Sequence, residues 1–264
     1  MQLNGARVLV TGATGGLGAA IAEACAARGA TVIVSGRRAD AVQEIAARIG
    51  ARPVVADLAV DGAVEKLLDE AGEVDVVVAN AALPGSGELF DYTVEQIDRA
   101  VAVNLRAPML LARLAGEQMQ TRGRGHLVFI NSLAGKVASG RTSIYNATKF
   151  GLRGFTLALR DDMRNRGIGV SSIYPGFIRD AGMFAKSGAQ LPPGVGSRTP
   201  HDVAEAVVKA IEHDIAELDV APAGLRLGAV IGLVAPKLSV RLQHRLAGNV
   251  MRDLAEGHRI RGMR

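Results

Sequence analysis

The feature that most constrains the fold is a regular alternation of short apolar segments with alanine-rich segments of helical periodicity, which runs through residues 6–221. The alternation predicts strands at residues 6–10, 31–35, 53–56, 74–79, 127–131, 169–174 and 218–221. It predicts helices at residues 16–28, 40–49, 61–71, 94–120 with a kink at Pro108, 143–166 and 201–213. Apolar strands alternating with helices indicate an α/β fold, a doubly wound parallel sheet with helices on both faces.

The chain divides by charge into a body and a basic tail. Residues 224–264 contain eight lysines and arginines and two acidic residues, whereas the preceding residues contain 23 and 24. With 264 residues, 48% of them hydrophobic, the body can bury one large core. We therefore predict one domain at residues 1–223, with a loop-like substrate lid at about 180–200, and a basic amphipathic helical extension at residues 224–264.

The tail contains two apolar patterns. The first predicts a short helix within residues 225–234, which Pro236 interrupts. In the second, apolar residues and arginines recur at helical spacing; they are Leu238, Arg241, Leu242, Arg245, Leu246, Val250 and Arg252. This pattern is typical of a helix packed on the body or on a partner subunit, or of a basic helix on an anionic membrane surface. Packing is the commoner outcome and is favoured here. The uncharged run at residues 227–236 is too short to span a membrane.

Composition and charge exclude several classes of protein. The single cysteine, Cys25, cannot form an internal disulfide, and its alanine-rich surroundings predict a buried, inert thiol in a reducing compartment. The five histidines lack metal-ligand spacing, so no metal site is expected. The first residues reach a strand without a secretory signal, which predicts a cytoplasmic protein. No helix-turn-helix or aromatic stacking pattern accompanies the basic tail, so nucleic-acid binding is not expected.

A glycine-rich turn joins the first predicted strand to the first predicted helix. Its sequence, Thr-Gly-Ala-Thr-Gly-Gly-Leu-Gly, occupies residues 11–18. Glycine allows backbone amides to approach a pyrophosphate closely, and the pyrophosphate then lies at a helix N-terminus. The spacing differs from Gly-x-Gly-x-x-Gly, but its place between strand and helix predicts a dinucleotide site. The residues expected to contact the dinucleotide here are Gly12, Thr14, Gly16, Leu17 and Gly18.

Tyr145 and Lys149 are four residues apart on a predicted helix, so their side chains share one face. A phenol has an ordinary pKa of about 10. A neighbouring ammonium favours the phenolate, and we expect it to lower the pKa of Tyr145 toward the range of a general acid or base. Ser132 follows a predicted buried strand and can present its hydroxyl beside the tyrosine. In isolation, the tyrosine and lysine would be interpreted as a surface pair.

These motifs together resemble the short-chain dehydrogenase/reductase family, from residue 6 to about residue 221. The family's glycine pattern, Thr-Gly-x-x-x-Gly-x-Gly, is matched within residues 11–18. The positions that match its remaining motifs are Asn80-Ala81-Ala82, with alanine for the usual last glycine, Asn104, Ser132, Tyr145, Lys149 and Pro175-Gly176. The resemblance implies a Rossmann-like fold and an oxidoreductase that transfers hydride between a nicotinamide cofactor and a carbonyl or alcohol.

The resemblance also implies catalytic roles. Tyr145 would protonate the carbonyl oxygen in reduction or deprotonate the alcohol in oxidation, and Ser132 would position the substrate oxygen. Lys149 would lower the pKa of the tyrosine and hold the nicotinamide ribose. Asn104 would hold a water that links Lys149 to solvent; alternatively, it is a helix asparagine bonded to neighbouring backbone.

The cofactor preference is predicted from the end of the second strand. An acidic residue there would select NAD by binding the ribose hydroxyls, but Arg37 and Arg38 follow this strand. A guanidinium can bind a 2′-phosphate, which favours NADP(H); alternatively, both arginines are merely solvated. Asp57 resembles the family residue that recognises the adenine amino group. The remaining residues expected to contact the cofactor are Leu58, Asn80, Tyr145, Lys149, Pro175, Gly176 and Ile178.

One position departs from the family. A threonine that binds the nicotinamide carboxamide normally follows the Pro-Gly element, whereas this chain has Asp180 in that region. Asp180 can accept a hydrogen bond from the same amide nitrogen, or it can cap the next short helix. The residues themselves leave both alternatives open.

The predicted lid, residues 183–195, is largely apolar, and Lys186 is its one charged residue. This favours a lipophilic ketone or secondary alcohol as substrate, although a lid can also be apolar because it packs on the body.

Two other functions compete with a reductase. A non-catalytic dinucleotide-binding regulator is disfavoured by the intact catalytic residues. A sugar-nucleotide epimerase or dehydratase would use Gly15 in a Thr-Gly-x-x-Gly-x-x-Gly pattern, but the chain is too short for one.

The resemblance implies an assembly as well. Related proteins commonly pair through the helix that bears the catalytic tyrosine and the helix that bears Asn104. The first of these carries the small residues Ala147, Gly151, Gly154 and Ala158, which allow close packing between helices. We therefore expect a symmetric homodimer or homotetramer.

Overall fold

Seven parallel strands form one sheet within the part of the chain that this computed structural model describes, residues 1–237 and 248–262. The strands are β1 Arg7–Thr11, β2 Thr31–Gly36, β3 Arg52–Val55, β4 Val76–Ala79, β5 Gly125–Ile130, β6 Ile168–Pro175 and β7 Glu217–Val220. Their order across the sheet is β3-β2-β1-β4-β5-β6-β7. The strand order reverses between β1 and β4: β2 and β3 follow on one side of β1, and β5, β6 and β7 follow on the other side of β4. In a doubly wound sheet, a crevice opens at the carboxyl ends of the strands at such a point.

Helices cover both faces of the sheet. Those in the described residues are α1 Gly16–Ala27, α2 Ala39–Ile49, α3 Ala63–Ala71, α4 Val94–Val101, α5 Ala107–Arg122, α6 Ser143–Asp162, α7 Gly182–Ser187, α8 Pro200–His213, α9 Ala223–Val234 and α10 Gly248–Ile260. Helices α1, α2 and α8 contribute to the core on one face, and α3, α5 and α6 to the core on the other. The predicted doubly wound parallel fold is confirmed.

Successive residues of a strand serve the two cores in turn. In β1, Val8 and Val10 belong to one core and Leu9 to the other, and each of these side chains is fully buried. A strand that is buried on both faces needs apolar residues at every position. That requirement explains why the strands appear in the sequence as continuous apolar runs rather than as alternating ones.

The predicted long helix at residues 94–120 is divided into three parts. Helix α4 ends at Val101, a π-helical segment covers Ala102–Arg106, and α5 begins at Ala107. The Ala107 N–H donates to the Ala102 carbonyl, five residues back. Because Pro108 has no N–H to donate to the carbonyl four residues before it, the regular ladder cannot continue through this point. The distortion therefore lies just before the proline, and it contains Asn104.

Two other predicted boundaries are corrected by the structure. Helix α6 ends at Asp162, four residues before the predicted end. The segment predicted as a loop, residues 180–200, contains the short helix α7, which ends at Gly188 in a left-handed conformation. Helix α7 is held by contacts to other elements rather than by a side-chain cap, and such contacts are not visible in a local sequence pattern.

The two described helices of the tail pack on different parts of the protein: α10 contacts α7, and α9 buries Ala229 in a cluster with Leu133, Tyr174 and Ala221. The predicted helix within residues 225–234 is observed as α9, and Val250 lies buried in α10. Helix α10 contacts α7, and the His258 Nε2 atom lies 2.9 Å from the Met183 carbonyl oxygen. Among the described helices none is long and apolar enough to cross a membrane. The predicted amphipathic positions that lie outside the described residues are Leu238, Arg241, Leu242, Arg245 and Leu246.

Candidate active site

One cavity of about 780 Å³ opens at the carboxyl ends of the central strands. It brings together residues from β1, β2, β4, β5 and β6 that are far apart in the sequence. Nearly all of the predicted site residues line it: Gly12, Thr14, Gly16, Leu17, Gly18, Arg37, Arg38, Asp57, Leu58, Asn80, Ser132, Tyr145, Lys149, Pro175, Gly176 and Ile178. Asn104 is the exception, because it is fully buried behind the cavity wall.

The glycine turn forms a cradle that side chains would fill. A Cβ atom at Gly12 would lie 2.7 Å from the Ala81 Cα atom, and one at Gly18 would collide with the Gly12 carbonyl oxygen. A Cβ atom at Gly16 would collide with Ala181 of the lid segment, whereas one at Gly15 would make an ordinary contact of 3.4 Å. The structure therefore requires glycine at the positions of Thr-Gly-x-x-x-Gly-x-Gly, and not at Gly15.

Asn80 holds the cradle in place. Its Nδ2 atom donates to the carbonyl oxygens of Thr11 at 2.9 Å and Gly12 at 3.2 Å, and its backbone N–H donates to the Thr11 hydroxyl at 3.1 Å. Within the described part of the chain, no side chain caps the N-terminus of α1, which begins at the cradle. Free N–H groups at a helix N-terminus favour a phosphate group, so these residues fit the pyrophosphate of a dinucleotide.

Ser132, Tyr145 and Lys149 meet at the end of β5. Ser132 directly follows the buried Asn131 after this strand, and its Oγ accepts from the Ala134 N–H at 3.1 Å. Tyr145 lies in the first turn of α6, and Lys149 lies one turn later. The Lys149 Nζ atom is 5.6 Å from the centre of the Tyr145 ring and donates to the Ile130 carbonyl at 2.9 Å. The three predicted side chains thus share one edge of the cavity.

The expected lowering of the Tyr145 pKa by Lys149 is wrong for the protein described here. Burial raises the pKa of Tyr145 to about 12, and a hydrogen bond with Ser132 opposes this rise only in part. Burial also lowers the pKa of Lys149 to about 8, because an ammonium is costly in an apolar interior. The two groups therefore move toward their neutral forms. At neutral pH the phenol keeps its proton and can act as an acid.

Asn104 fixes a wall of the cavity through its side-chain amide. Its Oδ1 atom accepts from the Leu83 N–H at 2.7 Å, and its Nδ2 atom donates to the Leu83 carbonyl at 2.9 Å. Nδ2 also lies 3.4 Å from the Thr148 hydroxyl of α6. The side chain thus bonds to the backbone of a residue that is distant in sequence. It links the distorted segment to Leu83, which lines the cavity.

At the other end of the cavity, Arg37 and Arg38 are exposed, and neither forms an ion pair with another described residue. Asp57 is bonded instead to Arg99 of α4, with a 2.7 Å contact between Oδ2 and the guanidinium. Partial burial would raise the pKa of Asp57, but the hydrogen bonds from Arg99 and the Ala59 N–H outweigh it and lower the pKa. Arg99 lines the cavity and was missed by the sequence analysis, because nothing in the local pattern relates it to Asp57.

Asp180 does not cap α7. The N-cap position of α7 is occupied by Ala181, so that alternative is wrong. Asp180 has a φ of 70°, is exposed, and lies 3.5 Å from the Arg179 guanidinium. Its flanking residues Ile178 and Ala181 line the cavity, but Asp180 is not among the described residues that do so.

A partly buried ion cluster lies behind the Ser132 segment, and the sequence analysis missed it. The Lys136 Nζ atom is 2.8 Å from Asp219 and 3.3 Å from Glu217, both of β7, and 3.9 Å from the centre of the Tyr174 ring. Burial and the Glu217 carboxylate raise the pKa of Tyr174, whose hydroxyl donates to Glu217. The cluster ties the segment after Ser132 to the edge strand of the sheet.

Comparison with known proteins identifies a family model that matches most of this chain and reductases with similar sequences. A family model described as short chain dehydrogenase matches residues 6–192. The ketoacyl reductase HetN of Nostoc sp. is 34% identical over 225 residues, which cover 82% of this chain and 78% of HetN. The 3-oxoacyl-[acyl-carrier-protein] reductase FabG of Escherichia coli is 34% identical over 184 residues, covering 67% of this chain and 75% of FabG.

A solved structure resembles the fold over nearly its whole length. The short-chain dehydrogenase from Sphingobium yanoikuyae in complex with NADPH aligns with a TM-score of 0.76 and 26% sequence identity. The alignment covers 89% of this chain and 95% of that one.

Burial of the Lys149 ammonium makes stability depend on pH. Its pKa is about 8 in the folded protein and 10.5 in the unfolded chain, so between these values the unfolded chain binds more protons and the free energy of unfolding rises with pH. Below pH 8 the buried charge costs roughly 3 kcal/mol, before its hydrogen bond to Ile130 is counted. Lys149→Met should therefore be more stable than the wild type at pH 7, and this difference should shrink toward pH 10.5.

Urea unfolding of both proteins across this range measures the difference directly. Lys66→Met is the matched control, because the Lys66 side chain is 79% exposed and its removal should leave the pH dependence unchanged. A difference between the wild type and Lys149→Met that stays constant with pH would contradict the burial cost.

Proposed function

This chain belongs to the short-chain dehydrogenase/reductase family of oxidoreductases, and on that premise we propose that it is an NADP(H)-dependent enzyme that interconverts a lipophilic ketone and the corresponding secondary alcohol. The observation that carries the proposal is the meeting of Ser132, Tyr145 and Lys149 in the same cavity as the glycine cradle. The names of the reductases HetN and FabG support carbonyl reduction as the reaction type.

Tyr145 holds and moves the proton in this proposal. Because burial raises the pKa of the phenol to about 12, the hydroxyl is protonated at neutral pH and donates to the carbonyl oxygen during reduction. Ser132, which hydrogen-bonds Tyr145, holds the substrate oxygen within reach of that hydroxyl. The nicotinamide, when bound, supplies or accepts the hydride. In oxidation Tyr145 takes the alcohol proton instead.

Lys149 supports the tyrosine and holds the cofactor. Its pKa of about 8 leaves the ammonium mostly charged at pH 7, and its Nζ atom lies 5.6 Å from the centre of the Tyr145 ring. The same group would bind the nicotinamide ribose. Asn104 positions Leu83 through two hydrogen bonds, and we propose that it also serves the proton path between Lys149 and solvent.

Arg37 and Arg38 favour NADP(H) over NAD(H). Both line the adenosine end of the cavity and are exposed, so their guanidinium groups are accessible to a 2′-phosphate. Asp57, the nearby carboxylate that could bind ribose hydroxyls, is paired with Arg99. The NADPH complex of the Sphingobium enzyme supports the same choice.

We propose a cytoplasmic location and a homo-oligomeric assembly. The Cys25 thiol is buried, and burial raises its pKa to about 12, as suits a free cysteine in a reducing compartment. The outer face of α6 exposes Phe150 and Leu157 beside the small residues Gly154 and Ala158. An exposed apolar face of this kind favours close pairing with a second copy, as a symmetric dimer or tetramer.

Tyr145→Phe tests the proton donor. The substitution keeps the ring and removes the hydroxyl, so turnover should fall to below a few per cent of the wild type while NADPH affinity changes by less than about threefold. Stopped-flow absorbance measures the first and NADPH fluorescence the second. Tyr92→Phe, which removes a hydroxyl bonded to the Ser86 carbonyl, is the matched control and should stay active. Retention of substantial turnover by Tyr145→Phe would refute the assignment.

Replacing both Arg37 and Arg38 with alanine tests cofactor selection. Loss of charge-assisted bonds should weaken NADPH binding by about 1.5–3 kcal/mol, or roughly one to two decades, with little change for NADH. Fluorescence titration with each dinucleotide gives both affinities. Arg48→Ala is the control, because Arg48 pairs with Glu23 outside the cavity. A wild type that prefers NADH would show the proposal to be wrong.

Gly154→Arg tests the assembly. A Cβ atom at Gly154 meets no atom within 4 Å in the protomer, so the substitution should not disturb the fold but should place a charge in the paired face. Light scattering at micromolar concentration should give an oligomer for the wild type and a smaller species for Gly154→Arg. A monomeric wild type would exclude the proposed pairing.

A further inference from the structure

The cavity extends beyond the catalytic residues into a region formed by the tail. Leu225 and Ile231 of α9 and Met251 and Leu254 of α10 line it together with the lid residue Phe184. All of the α9 and α10 residues lie after residue 192, where the match to the family model ends. This end of the cavity is therefore built largely by a part of the chain that the family match does not cover.

Helix α10 is fastened to the lid helix α7. A Cβ atom at Gly257 would collide with the Ser187 carbonyl oxygen, so only glycine allows the two backbones to lie this close. The His258 side chain, 1% exposed, places Nε2 at 2.9 Å from the Met183 carbonyl oxygen. Val250 and Ala255 are also buried. Because these contacts involve the lid backbone, α10 forms a fixed wall of the cavity.

One side of helix α9 lines the same region of the cavity. Gly224, Leu225, Gly228, Ala229 and Ile231 line the cavity and share one side of the helix. A Cβ atom at Gly224 or Gly228 would meet no atom of the described residues within 4 Å, and both glycines are exposed where they line the cavity. The side chains on the opposite side of α9, Leu227, Val230 and Val234, are exposed.

The lining of this region is apolar near α9 and α10. Phe177 and Phe184 lie against each other with ring centres 4.9 Å apart, and Met251 and Leu254 add flexible aliphatic surface. The polar lining residues nearby include Lys186, which is exposed, and His258, whose Nε2 lies 2.9 Å from the Met183 carbonyl oxygen. The apolar part of this wall stabilises an uncharged aliphatic group.

We propose that α9 and α10 form the binding site for an elongated apolar substituent of the substrate, with the carbonyl at Ser132 and Tyr145 and the apolar chain in front of Gly228. This inference rests on the proposed carbonyl chemistry for the position of the reacting group, but not for the existence of the apolar site. The tail then has a role in specificity, because the protein distinguishes ketones by the length of their apolar substituent.

The length of the ketone's alkyl chain then has a predictable effect on the specificity constant, kcat/KM. Each methylene buried in the site should raise kcat/KM by about threefold to fourfold, until the space in front of α9 is filled. A series of methyl ketones from butanone to decan-2-one, with NADPH as reductant, provides the measurement. Binding is followed independently of turnover, as the rise in melting temperature that each ketone causes.

Gly228→Leu is the decisive variant. Its side chain enters the empty space in front of α9, so the ratio of kcat/KM for decan-2-one to that for butanone should fall at least tenfold, and decan-2-one should no longer raise the melting temperature. Ala223→Leu is the matched control, because it adds the same side chain to an exposed position on the opposite side of α9. It should leave the ratio unchanged. Leu254→Ala, which removes part of the α10 wall, should reduce the ratio without adding bulk.

The outcomes separate this inference from the proposed function. If decan-2-one raises the melting temperature of the wild type but not of Gly228→Leu, and no ketone is reduced, the apolar site stands and the proposed reaction fails. If ketones are reduced with no dependence on chain length, or if Gly228→Leu behaves as Ala223→Leu does, the reaction stands and the apolar site is overturned. If the wild type neither binds nor reduces the long ketones, the apolar site is likewise overturned.

Discussion

The hydrogen bonds of Asn80 are the interaction on which the rest of the site depends. They join the end of β4 to the turn after β1, at the point where the order of the strands reverses. The Thr11 hydroxyl completes the junction by accepting from the N–H groups of Asn80 and Ala81. With the turn held in this way, the N-terminus of α1 faces the crevice and its N–H groups remain available to an anion. The residues that line the crevice can then contact the same bound molecule.

Burial governs the protonation of Tyr145 and Lys149. Tyr145 and Lys149 sit where a charge is poorly solvated, and their pKa values move in opposite directions for that one reason. Among the described residues no carboxylate pairs with Lys149, whose Nζ bonds the Ile130 carbonyl. The cluster behind the same segment shows the contrasting case, because two positive charges, Lys136 and Arg153, pair with two negative ones, Glu217 and Asp219. The protein thus stabilises its scaffold with paired charges and keeps a costly, unpaired one at the site.

The two ends of the cavity have different origins in the chain. The cradle and the catalytic residues belong to the region matched by the family model, residues 6–192. The wall made by α9 and α10 follows that region, and it contacts the lid through backbone at Gly257 and Ser187. A shared reaction and an individual substrate preference can therefore reside in separate parts of one cavity.

The sequence by itself determined the parallel sheet, its helices, the glycine cradle and the pairing of Tyr145 with Lys149, because each follows from a local period or spacing. Most predicted elements differ from the observed ones by only a few residues at their ends. Tertiary structure alone decided the π-helical segment, the helix within the lid and the Asp57–Arg99 pair, since each depends on contacts between distant segments. It also decided the direction of the Tyr145 pKa shift. The spacing of two residues fixes their proximity, but desolvation depends on everything packed around them.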